Sequence, residues 1–132
     1  MFIDASAIVA ILTREEDADD LADRLDRAAA PVTSPIAVFE SVLGICRKRH
    51  ASIEEAQADI RTFLEAARVT VTAISAADTD IALKAFARYG KGRGHPAQLN
   101  LGDCFSYAGA TGRDVPLLCK GNDFIHTDIA LA

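Results

Sequence analysis

A chain of 132 residues, half hydrophobic and a quarter charged, with a net charge of −5, suits one folded domain over 1–132 and argues against a protein that holds nucleic acid by bulk charge. Its longest uncharged stretch, Ala28 to Phe39, is too short to cross a bilayer, and Met1 runs into "FIDAS" without a basic leader, so the expected setting is the cytoplasm, away from membranes. Cys46, Cys104 and Cys119 are odd in number and form no C-x-x-C pair, which excludes a disulfide framework, gives zinc little support, and leaves them as small apolar residues in a reducing compartment.

In chain order, "MFI" reads as a strand that stops at Asp4, and "ASAIVAIL" as a helix that Asp4 is suited to cap. "EEDADDLADRLDRAAA" predicts an exposed helix, with seven acids against one Arg between Glu15 and Asp26. After the short run "APVT", Ser34 to His50 predicts a helix with Ser34 as cap, Pro35 in first position and Phe39, Val42, Leu43 and Cys46 as its apolar stripe. Ser52 to Arg68 predicts another, opened by a Ser52–Glu55 capping box, with Ile53, Ala56, Ile60, Phe63, Leu64 and Ala67 on one face. "RVTVTAI" follows, then a helix from Ser75 to Tyr89 with Asp78 in its first turn and Gly90 at its end. From Ile81 to Gly102 the chain has no acid but carries Lys84, Arg88, Lys91, Arg93 and His95. "LNLGDCFSYAGATG" predicts a buried helix, and "VPLLC" a last strand. The short apolar runs lack alternation, as parallel strands covered on both faces do, so the expected fold is a layered α/β sandwich. Active residues of such sheets gather beyond the carboxyl ends of the strands, near the point where strand order reverses.

Four acids stand in apolar surroundings. Asp4 ends the first run, Glu40 is the only charge between Arg27 and Arg47, Asp103 is the only one from Leu99 to Gly112, and Asp123 follows the last run in "PLLCKGNDF". Each has a plain structural alternative: a helix cap for Asp4, a solvated edge for Glu40, capping with Asn100 for Asp103 and a turn for Asp123. Taken together in an α/β fold, they can converge on one sheet edge. A carboxylate pair 4 Å apart costs about 4 kcal/mol at an effective dielectric near 20. Such a cluster persists with raised pKa values or around a cation, and hard oxygens without a His or Cys set point to Mg²⁺, or Mn²⁺. A Mg²⁺ that keeps waters and recruits phosphate oxygens points in turn to phosphodiester chemistry. Lys91, Arg93 and His95, in the Gly-rich "YGKGRGHPAQ", fit a rim that tracks a phosphodiester backbone, though a solvated loop has the same composition.

"MFIDASAIVAIL", "SPIAVFESVL", "YGKGRGHPAQLNLGDCFSYA" and "LLCKGNDFIHTDI", in this order and spacing, resemble the PIN-domain toxins of VapC type from the first residue to the last. The resemblance implies a three-layer α/β/α fold with a central parallel sheet and a Mg²⁺-dependent endoribonuclease. It matches Asp4, Glu40, Asp103 and Asp123 to the family's acidic quartet, with Asp4 and Asp103 as main metal ligands. Glu40 and Asp123 would then act partly through metal-bound water. Ser6 matches a Ser/Thr that hydrogen-bonds the carboxylates, with ordinary capping as its alternative. The chain departs from the family where Cys119-Lys120-Gly121 replaces a Thr/Ser-x-Asp. That makes Asp123 the least secure of the four and leaves Asn122 as a carbonyl ligand and Lys120 as a cation for a phosphate or for the cluster. His126 and Asp128 read as a local turn. The resemblance also implies an antitoxin partner, which the acidic helix from Glu15 would suit, and a homodimer.

A receiver-like signalling domain would need paired acids after the first strand and an Asp after the middle one, and "VTVTAIS" supplies none. A PIN-like module that binds RNA or protein without cutting is the remaining alternative. The complete set of four acids favours catalysis.

Overall fold

The computed structural model describes all 132 residues. Four two-residue strands, β1 (Phe2–Ile3), β2 (Val32–Thr33), β3 (Thr70–Val71) and β4 (Leu117–Leu118), form a wholly parallel sheet in the order β3-β2-β1-β4. Six helices connect them: α1 (Ala5–Leu12), α2 (Ala18–Asp26), α3 (Pro35–Arg49), α4 (Ile53–Ala66), α5 (Ala76–Tyr89) and α6 (Leu101–Thr111). The chain winds outward from β1 to β3, then returns to place β4 on the other side of β1. Strand order therefore reverses between β1 and β4, where an open α/β sheet leaves a crevice at its carboxyl edge.

Adjacent residues of β1 feed opposite faces. Ile3 and Leu118, which are register partners, join α1 to α4 in one buried cluster. Phe2 and Leu117, the next pair, join α5 and α6 in the other. The result is the expected α/β/α layering. No helix is long and apolar enough to cross a membrane.

Several local expectations need correction. The sheet is not covered throughout: Thr70 and Val71 of edge strand β3 are exposed, because the helical layers centre on β1 and β4. In α3 the buried residues are Ala37, Ser41, Val42, Gly44 and Ile45, while Phe39 is 65% exposed. Close packing on α1 selects small residues there; a Cβ at Gly44 would stand 2.7 Å from a methyl of Val9. In α4, Ile53 lies off the buried stripe at 58% exposure, and only the Ser52 half of the expected capping box is made, Glu55 N–H donating to its Oγ at 3.1 Å. The acidic helix α2 starts at Ala18, three residues later than the run of acids, because Glu15 and Asp17 turn instead toward lysines.

Candidate active site

Asp4 lies just past β1, 4% exposed, with its N–H bonded to the Leu118 carbonyl at 2.9 Å. Its carboxylate does two jobs at once. Oδ2 caps α1 by accepting from Ser6 N–H at 2.9 Å, and it also accepts from Ser6 Oγ at 2.5 Å. Oδ1 accepts from Ser106 Oγ of α6 at 2.6 Å. Ser6 Oγ in turn accepts from the Lys120 N–H at 3.0 Å, which ties the ends of β1 and β4 together across the switch point. A carboxylate has about four acceptor sites, so these three bonds leave Asp4 capacity for one more partner.

Asp103 is in the first turn of α6 and forms a full capping box with Asn100: Asp103 N–H donates to Asn100 Oδ1 at 2.9 Å, and Asn100 N–H donates to Asp103 Oδ2 at 3.0 Å. The structural alternative for Asp103 is thus real, and it coexists with a place in the carboxylate cluster. Burial pushes the Asp103 carboxyl up to about 7, and the charges of Asp4, Asp123 and Glu40 add to the rise against the favourable Asn100 N–H. Glu40, in the second turn of α3, is half-buried and also raised, first by burial and then by Asp4. Its carboxylate packs on the bare backbone of Gly102, where a Cβ would collide with both of its oxygens. Asp123 is exposed in the turn beyond β4.

All four acids line one open cleft of about 450 Å³ at the carboxyl edge of the sheet. Its other polar groups include Asn100, Glu15 and three cations, Arg47, Lys48 and Lys120. Glu15 pairs with both Lys48 and Lys120, and Lys120 Nζ also reaches Asp17 at 2.9 Å. Asn122, one residue before Asp123, does not line the cleft. Neither do Lys91, Arg93 and His95. Lys91 and Arg93 are exposed on the 90–99 loop, and His95 is used locally, its Nδ1 accepting from Ala97 N–H at 3.1 Å and its ring edge-on to Tyr89. Asp128 accepts from the Tyr107 hydroxyl at 2.7 Å and pairs with Arg88.

The cleft offers no thiol chemistry. Cys119 beside it is pushed up to about 12 by burial and the neighbouring acids, and Cys104 to about 11. No three His, Cys, Asp or Glu side chains stand close enough to form a complete metal cage. Carboxylate oxygens edging an open cleft instead suit a hard divalent cation that binds through one or two carboxylates and retains waters. Burial is the main cause of the Asp103 rise, and the neighbouring acids that add to it are a charge excess such a cation would neutralise.

A family model described as PIN domain matches residues 1–130. The chain belongs to the PIN-domain family. Its curated relatives include a VapC ribonuclease of Rhizobium meliloti (strain 1021), 40% identical over 139 residues that cover 97% of this chain and 98% of that one. Ribonuclease VapC28 of Mycobacterium tuberculosis is 40% identical over 132 residues, covering 100% and 97%. Among solved structures, the fold of this PIN domain is similar to that of Mycobacterium tuberculosis VapC20, described as a Sarcin-Ricin loop cleaving toxin, with a TM-score of 0.78 at 16% identity over 99% of this chain and 97% of that one. It is also similar to a chain of a toxin–antitoxin complex from Klebsiella pneumoniae, with a TM-score of 0.71 at 14% identity over 99% and 95%.

Sequence reasoning missed four residues that shape the PIN cleft. Ser106 had a signal, since it lies three residues after Asp103 and so on the same helical face. Gly102 had none, because its role is to leave space for a side chain from another helix. Arg47 and Lys48 read as ordinary basic residues in the last turn of α3, where they also complement the helix dipole.

Proposed function

We propose that this PIN domain is a divalent-cation-dependent endoribonuclease, the toxin of a VapC-type pair, and that Asp4, Glu40, Asp103 and Asp123 form its acidic site. The observation that carries the reading is their arrangement: four acids drawn from the ends of two strands and from two helices, lining one open cleft at the switch point. Asp4 and Asp103 would hold Mg²⁺ or Mn²⁺. When bound, the cation supplies positive charge for the phosphodiester transition state and polarises a water for attack. The chain's own part is positional. Ser6 and Ser106 fix the Asp4 carboxylate from two sides, and the Asn100 capping box fixes that of Asp103. Glu40, whose carboxyl is raised by burial and then by Asp4, is suited to orient the attacking water and take its proton. Asp123, at the exposed rim, would act through water.

The kinship with VapC ribonucleases supports RNA as substrate, and the likeness to a chain of a toxin–antitoxin complex supports an antitoxin partner; a homodimer and a cytoplasmic setting are carried over from the family resemblance as part of the same proposal. The test is cleavage of a mixed structured RNA by purified protein in Mg²⁺, in EDTA, and with Asp4→Asn in place of wild type. The reading expects cutting that needs both Mg²⁺ and Asp4. Equal cutting by Asp4→Asn would take Asp4 out of the site, and no cutting by wild type together with no Mg²⁺ binding would overturn the reading in favour of a non-catalytic module.

A further inference from the structure

We propose that Arg47, Lys48 and Lys120 form the phosphate-binding wall of the cleft, and that Glu15 occupies this wall in the free protein where an RNA phosphate sits in the complex. The inference rests on the nuclease reading and adds to it a route for the RNA backbone. A polyanion that approaches four carboxylates needs local positive charge, since the chain as a whole is at −5. The only basic residues lining the cleft are these three. Arg47 and Lys48 come from the last turn of α3, and Lys120 comes from the segment after β4, beside the Asp4–Ser6 tie.

Two of the three are already engaged by one anion. Glu15 holds Lys48 with one carboxylate oxygen and Lys120 with the other, and Asp17 adds a second contact to Lys120. Glu15 itself lines the cleft, on the turn between α1 and α2 that carries the left-handed Arg14 (φ 53°). An anionic group bridging two cations from different elements is the arrangement a backbone phosphate makes with a pair of lysines. Arg47 is exposed and takes part in none of the chain's seven ion pairs, its charge acting on Glu40 from a distance, so its guanidinium is available for the first encounter. RNA then exchanges one anion for another: Glu15 leaves, and phosphate takes its two lysines.

The test is binding of a fluorescein-labelled single-stranded RNA 20-mer in EDTA, measured by anisotropy against salt concentration. EDTA separates binding from cleavage, so a failure of this proposal and a failure of the nuclease reading are told apart. Arg47→Ala and Lys48→Ala should each flatten the log Kd against log salt slope by about 0.7, the value for one single-strand phosphate contact. Glu15→Gln should bind several-fold more tightly, a gain that misfolding cannot produce. Were Glu15→Gln to melt lower and bind RNA no better, Glu15 would be only a structural tie. If Arg47→Ala and Lys48→Ala kept the wild-type slope while Lys91→Ala with Arg93→Ala flattened it, the backbone would run over the 90–99 loop and the proposal would fall.

Discussion

Asp103 is folded into a capping box and a carboxylate cluster at once, and the two roles respond oppositely to charge. With the folded-state carboxyl at about 7, against 3.8 in the unfolded chain, the fold prefers the protonated form. The native state therefore binds more protons between these values, and stability falls as pH rises from about 4 through about 7. In EDTA, wild-type urea midpoints should decline over that window, and those of Asp103→Asn should decline less, since Asn keeps a cap acceptor without the charge. A variant that declines as steeply as wild type would place the pH dependence elsewhere. Gly102 gives a sharper separation of stability from activity. The nearest atoms that the Cβ of Gly102→Ala would meet are those of the Glu40 carboxyl group, the end of a side chain that can rotate away, and Ala suits a helix better than Gly by up to about 1 kcal/mol. Its melting temperature should match or exceed that of wild type while RNA cleavage drops at least tenfold; full activity would mean that the Glu40 carboxylate need not sit where it does.

At the scale of elements, α6 is the part that brings the site together. It carries Asp103 and Ser106 into the site and, three residues further along the same face, Gly109, which leaves room for the fully buried ring of Phe2 in β1. Gly109→Ala must displace that ring and should cost about 1–3 kcal/mol in chemical denaturation, the usual penalty for overpacking. Asn100→Ala should cost about 1 kcal/mol through the lost cap and should also release the Asp103 carboxylate. The elements themselves were legible because their signals are local: Ser34, Ser52 and Ser75 cap where expected, and Gly90 ends α5. The buried face of α3 was legible only in part: Val42 is buried and Cys46 packs against the core as the stripe predicts, but Phe39 is exposed, and Ala37, Ser41 and Gly44 are buried in its place, with Gly44 giving Val9 of α1 its room.

Over the whole molecule, the acids of the candidate site could be read from the sequence, but of its three cations only Lys120 could. Asp4, Glu40, Asp103 and Asp123 stand out because each carries charge into apolar sequence, and a parallel sheet with one switch point has one edge on which to gather them. Arg47 and Lys48 are ordinary in their local context, and only the packing of α3 against α1 and α6 brings them to the cleft. Lys91 and Arg93 show the converse, a basic cluster conspicuous in sequence that the fold leaves outside the cleft lining. The account as a whole depends on the four acids working as one hydrolytic centre. The most direct measurement compares wild type and Asp103→Asn on the same structured RNA in the same Mg²⁺, with melting curves taken in parallel. The account predicts a variant that melts at least as high as wild type and does not cut; a folded Asp103→Asn protein that cuts at the wild-type rate would contradict it.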